Sequence, residues 1–282
     1  MQRRWLFNLQ LAFTLFVCAF LIVPVMLSAL AGVTENFFFG IKSGFTFRWI
    51  IEVWNLYSET MYLSLLIAIA CLAVTLVIGV PAAYVLARQG GRLARFIEEV
   101  IVLPVAVPGL AIALALIIMY GGFRDFRTSW VFILVGHILY TLPFMVRSVL
   151  AVLSSMNFRE LEEGAASLGA SFWQRFYTVV LPNAKSGILA GSLMVVTLSV
   201  GEFNLTWMLH TPETKTLPVG LADSYASMRL EVASAYTLVF FVMIIPLLIA
   251  MQMLSREKRQ AKIADDDPLS DLDKLNLQKD KL

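Results

Sequence analysis

Residues 11–30 read LAFTLFVCAFLIVPVMLSAL, twenty consecutive residues without a charge. At about 1.5 Å of helical rise per residue, such a run covers the roughly 30 Å hydrocarbon core of a bilayer. Arg3 and Arg4 precede it and Ser28-Ala29-Leu30-Ala31 closes it, a pattern that imitates a cleavable secretory leader. Leader cores hold only about 7–15 apolar residues, so the stretch from about Trp5 to Leu30 reads as a membrane span. Five further apolar stretches follow, at about 61–86, 98–120, 130–153, 186–209 and 232–254. The composition agrees: 59% of the 282 residues are AVILMFWYC and 15% are DEKR. Soluble domains carry about 25% charged residues, so this chain lacks the polar surface to cover an aqueous globule. The fold class that follows is an all-α membrane protein with six transmembrane helices over residues 1–255, and little chain left for a separate enzyme domain.

Charge placement orients the spans. With the N-terminus inside, 16 of the 22 basic residues fall on the inner side, including the short Arg88, Arg92, Arg95 cluster. Lys42, Arg48, Arg124, Arg127, Lys215 and Arg229 remain outside, and the excess places both termini in the cytoplasm. Segment 32–60, rich in Phe and Trp, reads as interfacial, where amphipathic rings settle at headgroup level. Residues 256–282 hold seven basic and seven acidic side chains and read as a solvated cytoplasmic tail without net charge.

Several chemistries are excluded by what the sequence lacks. The net charge of +2 is too small for a nucleic-acid partner. Cys18 and Cys71 lie inside apolar runs and read as small buried hydrophobes. His137 and His210 are far apart, with no HExxH, GxSxG or CxxC, so neither a metal site nor a catalytic triad is expected. His137 reads as a hydrogen-bonded packing residue. None of Lys42, Lys185 and Lys215 is framed by the glycines of a phosphate-binding loop, so ATP is not bound by that route here. A secondary transporter would show an internal repeat or several intramembrane charges.

The longest inner loop apart from the tail, from Ser154 to Ala184, is the most organised. Asn157 with Glu160 has the spacing of an N-cap with an acid at N3, and Leu161, Ala165 and Leu168 share one helical face. That helix is expected to stop at Gly169. Ser171 with Gln174 forms a second capping box, opening a short helix with Phe172, Trp173, Phe176 and Tyr177 that is expected to end before Pro182. The loop is therefore a helix-turn-helix between the fourth and fifth spans, with a slender Glu-Gly-Ala segment suited to a groove on another protein.

Glu163-Gly164-Ala165, three residues, Gly169, nine residues, Val179-Val180-Leu181-Pro182 resembles the EAA loop of type I, binding-protein-dependent ABC importer permeases. The family pattern is E-A-A, three residues, G, nine residues, I, one residue, L-P; Gly164 and Val179 are the departures. Leu103-Pro104 through Pro108-Gly109, Gly136-His137, and Thr216-Leu217-Pro218-Val219 add likeness to the polyamine, ferric iron, phosphonate, sulfate and molybdate group. The resemblance implies a permease of a bacterial inner membrane whose coupling residues are Glu163, Gly164, Ala165, Gly169, Leu181 and Pro182. It implies a cytoplasmic ABC ATPase dimer that binds ATP and Mg, a second permease subunit of different sequence, and an extracytoplasmic solute-binding protein. This chain would hold no cofactor of its own and would meet membrane lipid. Glu202 and Asn204 in the fifth span are candidates to line the translocation path, because an intramembrane acid faces a bundle interior or aqueous cavity. A helix-packing network is the other reading of Glu202, and the sign of the solute is not readable.

Overall fold

The computed structural model describes residues 2–265, nearly all in helices. Helix α1 (Gln2–Ala31) leads through a 3-10 turn (Gly40–Ser43) to α2 (Arg48–Gln89), then α3 (Gly91–Ala106), α4 (Gly109–Tyr120) and the short α5 (Arg124–Thr128). Helix α6 (Trp130–Ser154) is followed by α7 (Phe158–Ser167), α8 (Phe172–Arg175), a π turn (Phe176–Val180) and α9 (Leu181–Gly201). The chain continues through α10 (Asn204–Leu209), α11 (Leu217–Ala226) and α12 (Leu230–Asp265). Among the described residues the only β pairing is an isolated bridge between Thr34 and Phe45.

Helices α2, α6 and α9 form the centre. Lipid tails are as apolar as leucine, so close packing at small residues has to hold membrane helices together. A Cβ on Gly187 would lie 2.5 Å from the Ser148 carbonyl oxygen, and one on Gly191 2.8 Å from Met145 Sδ. A Cβ on Gly79 would lie 2.9 Å from Met145 Cγ. Glycines of α9 thus admit the α6 backbone and Gly79 of α2 admits the Met145 side chain, and Ile67, Phe132, Met145, Val149 and Val195 fill the core around them.

Among the described residues, five helical stretches are long and apolar enough to cross a membrane: Trp5–Ala31, Arg48–Gln89, Trp130–Ser154, Phe172–Gly201 and Leu230–Met253. Helices α3 and α4 meet that length and apolarity only together, as a pair bent at a short break. The expected continuous span at 98–120 is therefore corrected. It breaks by 101° at Val107, which Pro108 forces into extended backbone at φ −91° and ψ 132°. At 12 residues, α4 alone is about 18 Å long, too short to cross.

Three further boundaries differ from the sequence reading. Helix α2 starts at Arg48, so only residues 32–47 of the expected interfacial segment lie outside α-helices. Its 42 residues extend about 63 Å, well beyond a bilayer core. The excess packs in a second cluster, where Val53 and Met61 meet Leu217, Val232, Ala235 and Tyr236. Arg229 pairs there with Glu52 and donates to Tyr57 Oη at 2.8 Å. The fifth stretch, expected at 186–209, starts earlier and ends at Gly201. The last helix runs to Asp265, into the segment expected as tail; residues 266–282 of that tail lie outside the described residues.

Helix α1 stands apart. Its large side chains from Trp5 to Met26 point outward, and only its end is buried, where Gly32 lets the chain touch the backbone of Ser234 and Ala235 on α12.

Candidate functional site

Helices α7 and α8 form a hairpin that leads into α9. Its first helix opens at Asn157 without the expected side-chain cap; the Asn157 carbonyl accepts from Glu160 N at 3.1 Å instead. Its end is as expected. Gly169 adopts φ +86°, its N–H donates to the Ala166 carbonyl at 2.9 Å, and Ala170 N–H donates to the Ala165 carbonyl at 3.1 Å. These paired bonds are a Schellman motif, which uses glycine because left-handed backbone crowds a Cβ. The second capping box also forms: Ser171 Oγ accepts from Gln174 N at 3.4 Å, and Gln174 Oε1 accepts from Ser171 N at 2.7 Å.

The expected stop before Pro182 does not occur. Helix α8 runs through the π turn into α9 as one stretch from Phe172 to Gly201. Proline would clash with a carbonyl one regular turn back, and the widened turn, in which Leu181 N–H donates to the Phe176 carbonyl five residues earlier, relieves that crowding. Leu181 is half-buried and Pro182 exposed.

Glu163, Gly164 and Gly169 are exposed and Ala165 is half-buried. No atom lies within 4 Å of where a Cβ on Gly164 or Gly169 would sit. Leu161 is exposed and Leu168 is 90% exposed, so that apolar stripe points away from the bundle. The residue the sequence reading missed is the preceding acid. Glu162 has a side chain only 3% exposed and accepts from Tyr84 Oη at 2.8 Å and from Arg175 Nη1 at 3.2 Å. Arg88 Nε stands 3.5 Å from its other oxygen. Phe158, Phe172 and Phe176 ring Tyr84 at centroid distances of 6.3, 6.2 and 5.5 Å. Arg159 adds a bond from Nη2 to the Ala87 carbonyl at 2.8 Å. The spacing of four between Phe158 and Glu162 was the available signal: it marks the buried face of α7, with half-buried Ala165 at the edge between that face and the exposed Leu161 and Leu168.

The expected pathway residues sit at a second break. Glu202, half-buried, takes extended backbone between α9 and α10, and its carboxylate accepts from Leu205 N at 3.1 and 3.3 Å. The carboxylate thereby caps α10 and replaces helical bonds lost at the break. A Cβ on Gly109, the first residue of α4, would lie 3.3 Å from Glu202 Oε1. The two breaks thus meet at this carboxylate, where the N-terminal ends of α4 and α10 favour negative charge. Asn204 is exposed beside it. His137 is buried and ties the pieces together: Nδ1 lies 2.8 Å from Ser199 Oγ on α9 and Nε2 2.8 Å from Thr206 Oγ1 on α10. Thr141 Oγ1 donates to the His137 carbonyl at 2.7 Å and contacts Cys71 Sγ at 3.1 Å. The packing role expected for His137 is what this network provides. Leu205 and Leu209 seat on α6 at Gly136, where a Cβ would fall 2.5 Å from Leu205 Cδ2.

Comparison with known proteins fits this architecture. Residues 76–260 match the family described as binding-protein-dependent transport system inner membrane component. The chain is 29% identical over 214 residues to the sulfate transport system permease protein CysW of Synechocystis, covering 71% of this chain and 77% of that protein. It is 28% identical over 204 residues to the molybdenum transport system permease protein ModB of Azotobacter vinelandii, covering 67% and 89%. In fold it is similar to a crystal structure of a bacterial ABC transporter involved in the import of the acidic polysaccharide alginate, with a TM-score of 0.70 at 17% identity, covering 91% of this chain and 96% of that one. The chain accordingly belongs to the family of inner membrane components of binding-protein-dependent transport systems: it is a multi-pass permease subunit of an ABC importer, a transport protein rather than an enzyme, with ATP hydrolysis assigned to a separate subunit.

Proposed function

We propose that the Phe158–Gln174 hairpin is the coupling element through which a cytoplasmic ATPase dimer, binding ATP and Mg, drives this permease. The observation that carries the proposal is the orientation of α7: its apolar stripe and glycines face outward on a helix whose other face is fastened to the bundle. A partner cleft would take Leu161, Gly164, Leu168 and Gly169, with Glu163 accepting charge-assisted bonds and Ala165 allowing close approach. Leu181 and Pro182 would join the hairpin to α9 so that a displacement travels as a rigid body. In this reading α3 and α4 form the third of six crossings, and both termini and the hairpin lie in the cytoplasm. Residues 1–255 form the permease domain, and 256–282 the tail.

A second permease of different sequence completes the path, with solute delivered by an extracytoplasmic binding protein. Glu202 and Asn204 line that path where the two helix breaks meet. Relatives named for sulfate and molybdenum transport favour a small polar or charged solute. The test is a cysteine at Leu168 in membranes holding the whole transporter. A crosslink to the ATPase whose yield changes with ATP is expected; crosslinks that never reach an ATPase would overturn the proposal.

A further inference from the structure

We infer that Glu162 is the positioning residue that converts movement of the coupling helix into movement of the bundle. The inference rests on the docking role proposed for α7. Glu162 is the one acidic side chain among the buried residues described. Its carboxylate joins three elements: its own helix α7, Tyr84 and Arg88 near the end of α2, and Arg175 at the start of the unbroken Phe172–Gly201 stretch. A buried carboxylate is tolerated when its oxygens are saturated with donors, and here the donors come from the helices that a lever would have to move.

Both helices held by this carboxylate belong to the central trio. The Phe172–Gly201 stretch is about 45 Å long and ends at Glu202, where Ser199 holds His137. A push on α7 therefore reaches the far break through one stiff rod, with Glu162 as its fulcrum. Aromatic contacts of Tyr84 with Phe158, Phe172 and Phe176 fix the hairpin's place but carry no directional charge. The paired Arg88 and Arg175 supply the direction, because either bond stretches when α7 tilts toward the other.

The experiment compares wild type, Glu162→Gln and Tyr84→Phe in the intact transporter carrying its ATPase and receptor. Gln keeps an acceptor for Tyr84 but loses the charge and the second acceptor oxygen, the one facing Arg88; Phe keeps the ring and loses both the bond Tyr84 donates to Glu162 and the one it accepts from Arg88 Nη1. Each variant is scored for ATPase copurification, ATP hydrolysis and solute moved per ATP. The fulcrum predicts normal copurification with solute per ATP falling about tenfold in Glu162→Gln, the size of a typical coupling between distant sites, and by less in Tyr84→Phe. Wild-type transport per ATP in both variants overturns it. So does a loss of uptake that only tracks lost complex, since that is a purely structural role. A wild-type chain that never copurifies with an ATPase removes the docking reading itself, and the fulcrum with it.

Discussion

Replacing Gly169 by alanine isolates one physical term in the coupling hairpin. No atom lies within 4 Å of the added Cβ, so neither a clash inside this chain nor a lost contact accompanies the change. What remains is backbone strain at φ +86°, about 1–2 kcal/mol for a residue with a Cβ in left-handed conformation. That free energy shifts the population of the intact Schellman turn by a factor of about 5–30. Asparagine enters this conformation more readily, so Gly169→Asn is expected to lose less. Gly169→Asp adds a negative charge at the C-terminal end of α7, unfavourable by a further 0.3–1 kcal/mol or so. Solute uptake in membranes, normalised to inserted protein, is expected to rank wild type, Asn, Ala, Asp, with membrane insertion unchanged throughout. Full uptake by Gly169→Ala, or asparagine ranking below alanine, would refute a mechanism in which this turn keeps the lever rigid.

Three other substitutions probe other parts of the molecule. Gly187→Val drives a side chain into the Ser148 backbone and should destabilise the α6–α9 contact by about 1–3 kcal/mol, read as a lower melting temperature in detergent. Ser171→Ala removes half of the second capping box and should destabilise the hairpin by about 1 kcal/mol, visible as faster amide exchange over residues 171–175 with the bundle unaffected. Glu202→Gln keeps an acceptor for Leu205 N and loses the charge, so folding yield should hold while uptake falls; unchanged uptake would remove Glu202 from the translocation path.

The sequence by itself determined whatever depends on neighbours along the chain. Twenty uncharged residues imply a crossing because their helical length matches a bilayer core, while Gly169 implies a left-handed stop and Ser171 with Gln174 a capped start because these rest on contacts within one or two helical turns. Tertiary structure alone decided the rest. Glu162 and Glu163 are adjacent acids about 100° apart on one helix, and only the docking of α7 against Tyr84 and Arg175 buries one and exposes the other. Residues 98–120 read as one span despite Pro104 and Pro108, and the 101° turn there packs α4 against α10, a contact between distant parts of the chain. The break at Glu202 carries no proline at all. It persists because His137, sixty-odd residues earlier in the chain, bonds to both sides of it, an interaction that exists only once the helices have come together.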